Sequence, residues 1–195
     1  MIKSYLSSRY QYVKVNNKCS SLIEVLFGVP QGSVLGPLLF LIFINDLPDA
    51  TNLYVKLFAD DTFLCTQNES FDTLESEVNS ELKKVSTWLA SNQLTLNISK
   101  SKHMLISRKR NTHNLNIHLN GMQMQSCDTY KYLGVYIDKD LNWKSHIEYI
   151  NKKISKSCGA LAKIRHCVDT NTLVNVYHAL VNSLCSLWYS CLGRC

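Results

Sequence analysis

No apolar run in this sequence reaches the roughly 18 residues that a membrane-spanning helix requires. The longest, Val34 to Asn45, is interrupted by Gly36 and Pro37 and is too short. The opening residues, MIKSYLSSRYQYVKV, lack the apolar centre of a secretory signal. The eight cysteines form no C-x-x-C pair, and no histidine partners them at zinc-ligand spacing. They sit mostly inside apolar segments, as buried thiols do, so the expectation is a reduced, intracellular chain. Acids are outnumbered, 15 against 21 lysines and arginines, for a formal charge of +6. That excess is compatible with a polyanionic partner without demanding one. There is no internal repeat and no low-complexity segment.

What is present is an ordinary globular composition, 46% hydrophobic and 18% charged over 195 residues, the length of one domain or of a piece of a larger one. Tyr10 to Val15 alternates enough to predict a strand, NNK a turn, and Cys19 to Phe27 a second strand. GVPQGSVLGP, residues 28 to 37, is a loop by composition, with three glycines and two prolines. PLLFLIFINDLP follows, and proline near its start predicts a buried helix from about 36 to 47. A hairpin is expected over Leu53 to Gln67. Leu74, Val78, Leu82, Val85 and Leu89 then recur at steps of three and four, the spacing of an amphipathic helix. LTLNISKSKHMLIS reads as a loop into a strand, and residues 114 to 137 as further strands with a turn at Asn120-Gly121. From Trp143 onward the pattern is helical. The fold class is therefore α+β, with strands and helices mixed first and helices last. Trp88 and Trp143 read as packing residues.

The hairpin poses the functional question. LFADDTFLC, residues 57 to 65, places Asp60 and Asp61 between apolar runs, at the expected tip. Aspartate is common in turns, and the pair needs no special role there. Apolar flanks, however, set both acids at the margin of a packed surface, and adjacent carboxylates repel unless a cation neutralises them. Mg²⁺ is suited to such a pair, because it binds through one or two carboxylates together with waters and substrate phosphates. Two such ions about 4 Å apart can clamp the oxygens of a phosphoryl transfer. The loop upstream adds to this: Gly28, Gly32 and Gly36 permit close approach of backbone to a ligand, Gln31 and Ser33 offer neutral hydrogen-bonding groups, and the next helix begins with unsatisfied N–H groups.

GVPQGSVLGPLLFLIFINDLP followed by FADDT resembles the reverse transcriptases of non-LTR retrotransposons, the jockey-like and related LINE-type elements. LASNQLTLNISKSKHML is similar to their segment D, and YKYLGVYIDKDLNWKSHI to the hairpin of the primer grip; the last helices, including YHALVNSL, look like the thumb. The resemblance implies a partial right-hand palm and fingers over 1–110, a primer-grip-like hairpin region over 111–142 and a helical thumb or connection over 143–195. It implies Asp60 and Asp61 as metal ligands for Mg²⁺ or Mn²⁺, Phe58 against the primer end, and Gly28, Pro30, Gln31, Gly32 and Ser33 around the nucleotide and template base. Lys100 matches a lysine acting as general acid on the leaving pyrophosphate, with Lys102 as a competitor, and Tyr132, Leu133 and Gly134 match the primer grip. The partners implied are an RNA template, a DNA primer and deoxynucleoside triphosphates, with no membrane. Upstream palm, fingers and endonuclease parts of the same polyprotein are expected, in a cytoplasmic ribonucleoprotein and the nucleus.

One feature of the family pattern is missing. The resemblance calls for a third carboxylate on a strand before the glycine loop, yet from Met1 to Asn45 the only acid is Glu24, four residues ahead of Gly28. The opening residues resemble the stretch that lies after that strand in the family. The chain is therefore expected to start inside the palm, to expose an unpaired sheet edge, and to catalyse poorly or not at all. The alternative is a nucleic-acid-binding remnant without catalysis, gripping phosphate with Lys100, Lys102, Arg108, Lys109 and Arg110.

Overall fold

The computed structural model describes residues 2–107 and 114–186. The chain divides into two compact units, Met1–Asn97 with Asn116–Gln123, and Ile98–Leu115 with Met124–Cys195.

The first unit opens with a short helix, α1 (Ile2–Leu6), and four two-residue strands: β1 (Tyr10–Gln11), β2 (Lys14–Val15), β3 (Lys18–Cys19) and β4 (Ile23–Glu24). They form one interrupted antiparallel ladder, with Tyr10 opposite Glu24 and Val15 opposite Lys18 around an Asn16-Asn17 turn. The two long strands expected here are reduced to these fragments. Every strand residue is exposed, so no packed face fixes a longer register.

Helix α2 (Leu35–Ile44) follows the glycine-rich loop and passes into a 3₁₀ turn, Leu47–Ala50. The expected 36–47 helix is thus shifted and shortened, with Pro37 its third residue. Nor is it buried throughout. Its sequence, LGPLLFLIFI, is apolar on all sides, but only one side meets a core; Leu38, Leu41 and Ile42 are 54%, 47% and 65% exposed. Next come β5 (Tyr54–Phe58) and β6 (Asp61–Cys65), an antiparallel hairpin in the expected place. Helix α3 (Phe71–Ser91) buries Leu74, Leu82, Val85 and Leu89, the stripe its spacing predicts.

The core of this unit is Ile44, Leu47, Val85 and Leu89, with Phe40, Leu57, Leu64, Trp88, Leu94 and Leu96 packed against it. It therefore joins α2, the inner face of the β5–β6 hairpin and α3. A further hairpin, β8 (His118–Leu119) and β9 (Met122–Gln123), turns at Asn120-Gly121 as expected and docks on α3.

In the second unit β7 (Lys102–His103) pairs in parallel with β10 (Gln125–Ser126). Strands β11 (Thr129–Tyr132) and β12 (Val135–Asp138) form a hairpin that packs on α4 (Lys144–Ile164). Buried Asp138 fixes the entry to that helix by accepting from the backbone N–H groups of Asn142 (2.9 Å) and Trp143 (2.8 Å). Helix α5 (Thr170–Tyr177), capped by the Asp169 carboxylate, continues into a π turn, His178–Asn182. Among the described residues six cysteines are unpaired, and all but Cys127 are exposed, contrary to the expectation of buried thiols. Cys65 shows the reason: it lies on the face of the β5–β6 hairpin opposite the core.

Candidate functional site

The alternation along β5 sends Val55 and Leu57 inward and leaves Tyr54, Lys56 and Phe58 exposed. The register carries this across the hairpin: Phe58 pairs with Asp61, Lys56 with Phe63 and Tyr54 with Cys65, so all six share the outer face. Ala59 and Asp60 are the two central residues of the turn. Ala59 has φ +50° and Asp60 is not left-handed, the pattern of a type II′ turn, where glycine is favoured. An L-residue held in that region costs roughly 1–2 kcal/mol. Asp60 thus occupies the tip, and Asp61 stands on the outer face opposite Phe58, which is 61% exposed.

Both carboxylates are exposed, and among the described residues no lysine or arginine forms an ion pair with either. Their oxygens are open to an external cation. The described residues contain no group of three histidine, cysteine, aspartate or glutamate side chains able to hold a metal. Two adjacent carboxylates fit part of the shell of a magnesium ion, which normally keeps waters and takes substrate phosphates as well. On the same outer face Lys56 Nζ lies 5.1 Å from the Tyr54 ring centroid, and a hydrogen bond to Tyr54 raises its pKa.

In the glycine loop Gly28 and Gly32 adopt φ +81° and +75°, conformations other residues rarely take. The Arg9 guanidinium donates to the Gly28 carbonyl at 2.6 Å. The Ser33 hydroxyl is the loop's internal tie: it donates to the Pro30 carbonyl (2.6 Å) and accepts from the Tyr5 hydroxyl (2.5 Å) and the Gly36 N–H (3.2 Å). A Cβ at position 36 would lie 2.7 Å from that hydroxyl, so the glycine permits the loop's own packing. Gln31 and Gly32 face solvent, and Pro30 is half-buried.

The other expected site residues belong to the second unit. Lys100 is exposed in a turn, and Lys102 begins β7. Half-buried Tyr132 ends β11, and Leu133-Gly134 is the hairpin turn, with φ +46° and +88°. Arg108, Lys109 and Arg110 lie outside the described residues.

Sequence reasoning missed several polar groups. Glu81 is only 5% exposed and accepts from Lys84 Nζ (2.6 Å), the Asn52 N–H (2.8 Å) and the Thr51 hydroxyl (2.9 Å). These bonds, that to Lys84 foremost, lower its pKa to about 2. The signal was present, since position 81 falls three residues after Val78 and four before Val85, on the apolar stripe. His146 is fully buried beside β12, where its Nδ1 accepts weakly from the Tyr136 N–H (3.4 Å). Burial lowers the pKa of both His146 and His103.

Comparison with known proteins places these features in a family. The family described as "Reverse transcriptase (RNA-dependent DNA polymerase)" matches residues 1–137. The RNA-directed DNA polymerase from mobile element jockey of Drosophila melanogaster is 28% identical over 193 residues, covering 93% of this chain and 21% of the relative. The probable RNA-directed DNA polymerase from transposon X-element of the same organism is 30% identical over 159 residues, covering 79% and 17%. That from transposon BS is 27% identical over 197 residues, covering 96% and 22%. The chain spans about a fifth of the length of these curated relatives. No solved structure matches it. This chain belongs to the reverse transcriptase family.

Proposed function

We propose that the chain is the palm-to-thumb part of an RNA-directed DNA polymerase of a non-LTR retrotransposon, extending a DNA primer on an RNA template with deoxynucleoside triphosphates. The observation that carries this reading is the open carboxylate pair, Asp60 and Asp61, presented by a strained turn on a packed hairpin. Strain of this kind persists where surrounding packing over-determines it, and it concentrates at functional positions.

Asp60 and Asp61 would hold Mg²⁺ or Mn²⁺. Bound divalent ions supply electrostatic stabilisation of the attacking and leaving oxygens in phosphoryl transfer. Phe58, exposed beside Asp61, offers an aromatic face to the primer end. Gly28, Pro30, Gln31 and Gly32 border the incoming nucleotide, while Ser33 holds the loop in shape. Lys100 supplies a proton to the departing pyrophosphate, and Tyr132, Leu133 and Gly134 support the primer strand. Residues from a longer polypeptide complete the metal shell, because the described residues supply only this pair at the hairpin. A ligand set limited to this pair among the described residues favours a second reading, a nucleic-acid-binding remnant in which the carboxylates no longer serve catalysis.

Mn²⁺ binding by electron paramagnetic resonance, with a primed RNA template present, tests the first reading. We expect bound manganese that the double change Asp60→Asn, Asp61→Asn abolishes. Unchanged manganese binding in that variant overturns the assignment, and robust primer extension by residues 1–195 alone overturns the statement that further residues are needed.

A further inference from the structure

The glycine-rich loop is held from outside by two side chains that the polymerase reading leaves unassigned. Gly28 and Gly32 have left-handed backbone, and beyond their chain neighbours no atom lies within 4 Å of where a Cβ would stand at either. Gln31 and Gly32 face solvent. The centre of the loop therefore has little packing to fix it, and glycine gives its backbone many conformations to lose. Its two ends are tied. Tyr5 on α1 donates its hydroxyl to Ser33 Oγ at 2.5 Å, across 28 residues of sequence. Ser33 passes the constraint on, because that oxygen also accepts from the Gly36 N–H and donates to the Pro30 carbonyl. Arg9, just past α1, donates from Nη2 to the Gly28 carbonyl at 2.6 Å, across 19 residues.

Both anchors are half-buried, and Arg9 is itself fixed. Its carbonyl accepts from the Val25 N–H (2.8 Å), and its Nε donates to the Leu6 carbonyl at the end of α1 (3.1 Å). The planar guanidinium thus bridges the helix end and the loop entry, which an ammonium without a rigid fork reproduces only in part. The two ties meet the loop at Gly28 and Ser33, on either side of Gln31 and Gly32. None of the residues they join belongs to the core of Ile44, Leu47, Val85 and Leu89. These bonds set the shape of the loop more than the stability of the unit.

We infer that Tyr5 and Arg9 are positioning residues for the incoming nucleotide: they pin the two ends of the loop, so that Gln31 and Gly32 meet the ligand in one geometry. A loop ordered in advance binds more tightly because it loses less freedom on binding. The inference rests on the nucleotide reading of this loop. Calorimetric titration of dTTP into the 195-residue chain, with Mn²⁺ and an RNA template carrying a dideoxy-terminated DNA primer, tests it. Tyr5→Phe keeps the ring and removes one hydrogen bond, and is expected to weaken dTTP binding about fivefold. Arg9→Gln is expected to weaken it about tenfold, and Arg9→Lys, which restores a charged donor, by roughly half as much. Primer-template affinity and manganese binding should stay as in the unaltered chain. Without nucleotide, hydrogen exchange at the Gly36 amide should quicken in Tyr5→Phe. Unchanged dTTP affinity in both Tyr5→Phe and Arg9→Gln overturns the positioning role while the polymerase reading stands. Parallel loss of dTTP, primer-template and manganese binding also overturns it, because the two residues would then support the fold at large. Absence of dTTP binding by the unaltered chain sinks this inference together with the nucleotide assignment of the loop. Manganese binding that the Asp60, Asp61 double change abolishes would still support the carboxylate assignment in that case.

Discussion

The hairpins β5–β6 and β8–β9 both close through two residues, yet they are held in opposite ways. At Asn120-Gly121 the central residues have φ +51° and +75°, a turn whose chemistry suits its backbone. That hairpin is tied to α3 by polar bonds: Asn79 accepts from the His118 N–H (2.8 Å) and donates to the Asn116 carbonyl (3.0 Å), while Glu75 accepts from the Asn116 N–H (2.8 Å). At Ala59-Asp60 an alanine occupies a glycine position. That hairpin is fixed instead by Leu57 and Leu64 on the core of Ile44, Leu47, Val85 and Leu89. One turn stabilises its strands. The other is stabilised by them, which leaves its residues free to be chosen for what they present to solvent.

Removing core volume should break the second arrangement and spare the first. Leu89→Ala, at a site 8% exposed, is expected to cost about 2–5 kcal/mol in urea unfolding. Hydrogen exchange should then deprotect β5–β6 amides more than those of β8–β9. Equal deprotection would show that the two hairpins open as one unit, and the contrast would be lost.

A smaller effect is expected from Glu81, which ties α3 to the entry of β5 through Thr51 and Asn52. Its folded pKa, about 2, lies below the ordinary value of 4.5. A depressed carboxylate contributes stability above the unfolded pKa and loses it as pH falls through the folded one. The contribution is therefore complete above about pH 4.5 and fades toward pH 2. Glu81→Gln should lower the urea midpoint at pH 7 by less than Leu89→Ala does, and the gap to the unaltered chain should close on acidification across that window. A gap independent of pH would mean that the carboxylate's charge is not what binds the loop.

Much of this contrast was legible in the residues, and the part that was not has a physical cause. The α3 stripe was readable because 3.6-residue periodicity is local, and the acid-tipped hairpin because apolar strands flank it. The exposure of Leu38, Leu41 and Ile42 was not: a helix apolar on all sides carries no periodic mark of which side is covered. The strand fragments of Tyr10–Glu24 alternate like longer strands, but alternation alone does not supply a packing partner. At the site, Asp60 and Asp61 were placed by their flanks, whereas the tie between Ser33 and Tyr5 spans 28 residues and could not be read from either neighbourhood. Glu81 finds Thr51 and Asn52 at a similar remove, although its position on the apolar stripe marked it as a buried acid.

Exchanging turn chemistry gives the smallest and sharpest test. Ala59→Gly relieves roughly 1–2 kcal/mol of left-handed strain and gives back about 0.4–1 kcal/mol through the more flexible unfolded chain. The net is a gain of roughly 0.5–1 kcal/mol. Asn120→Ala does the reverse, placing alanine where asparagine tolerates φ +51°, and should cost about 0.5–1 kcal/mol. The two urea midpoints should move in opposite directions with the denaturant slope unchanged. If Ala59→Gly destabilises the chain, the turn at the acids is not strained, and packing would not be what frees those two carboxylates for a cation. If it stabilises as expected while weakening manganese binding, the strain itself holds the acids in place, because the more mobile turn no longer presents both carboxylates in one geometry.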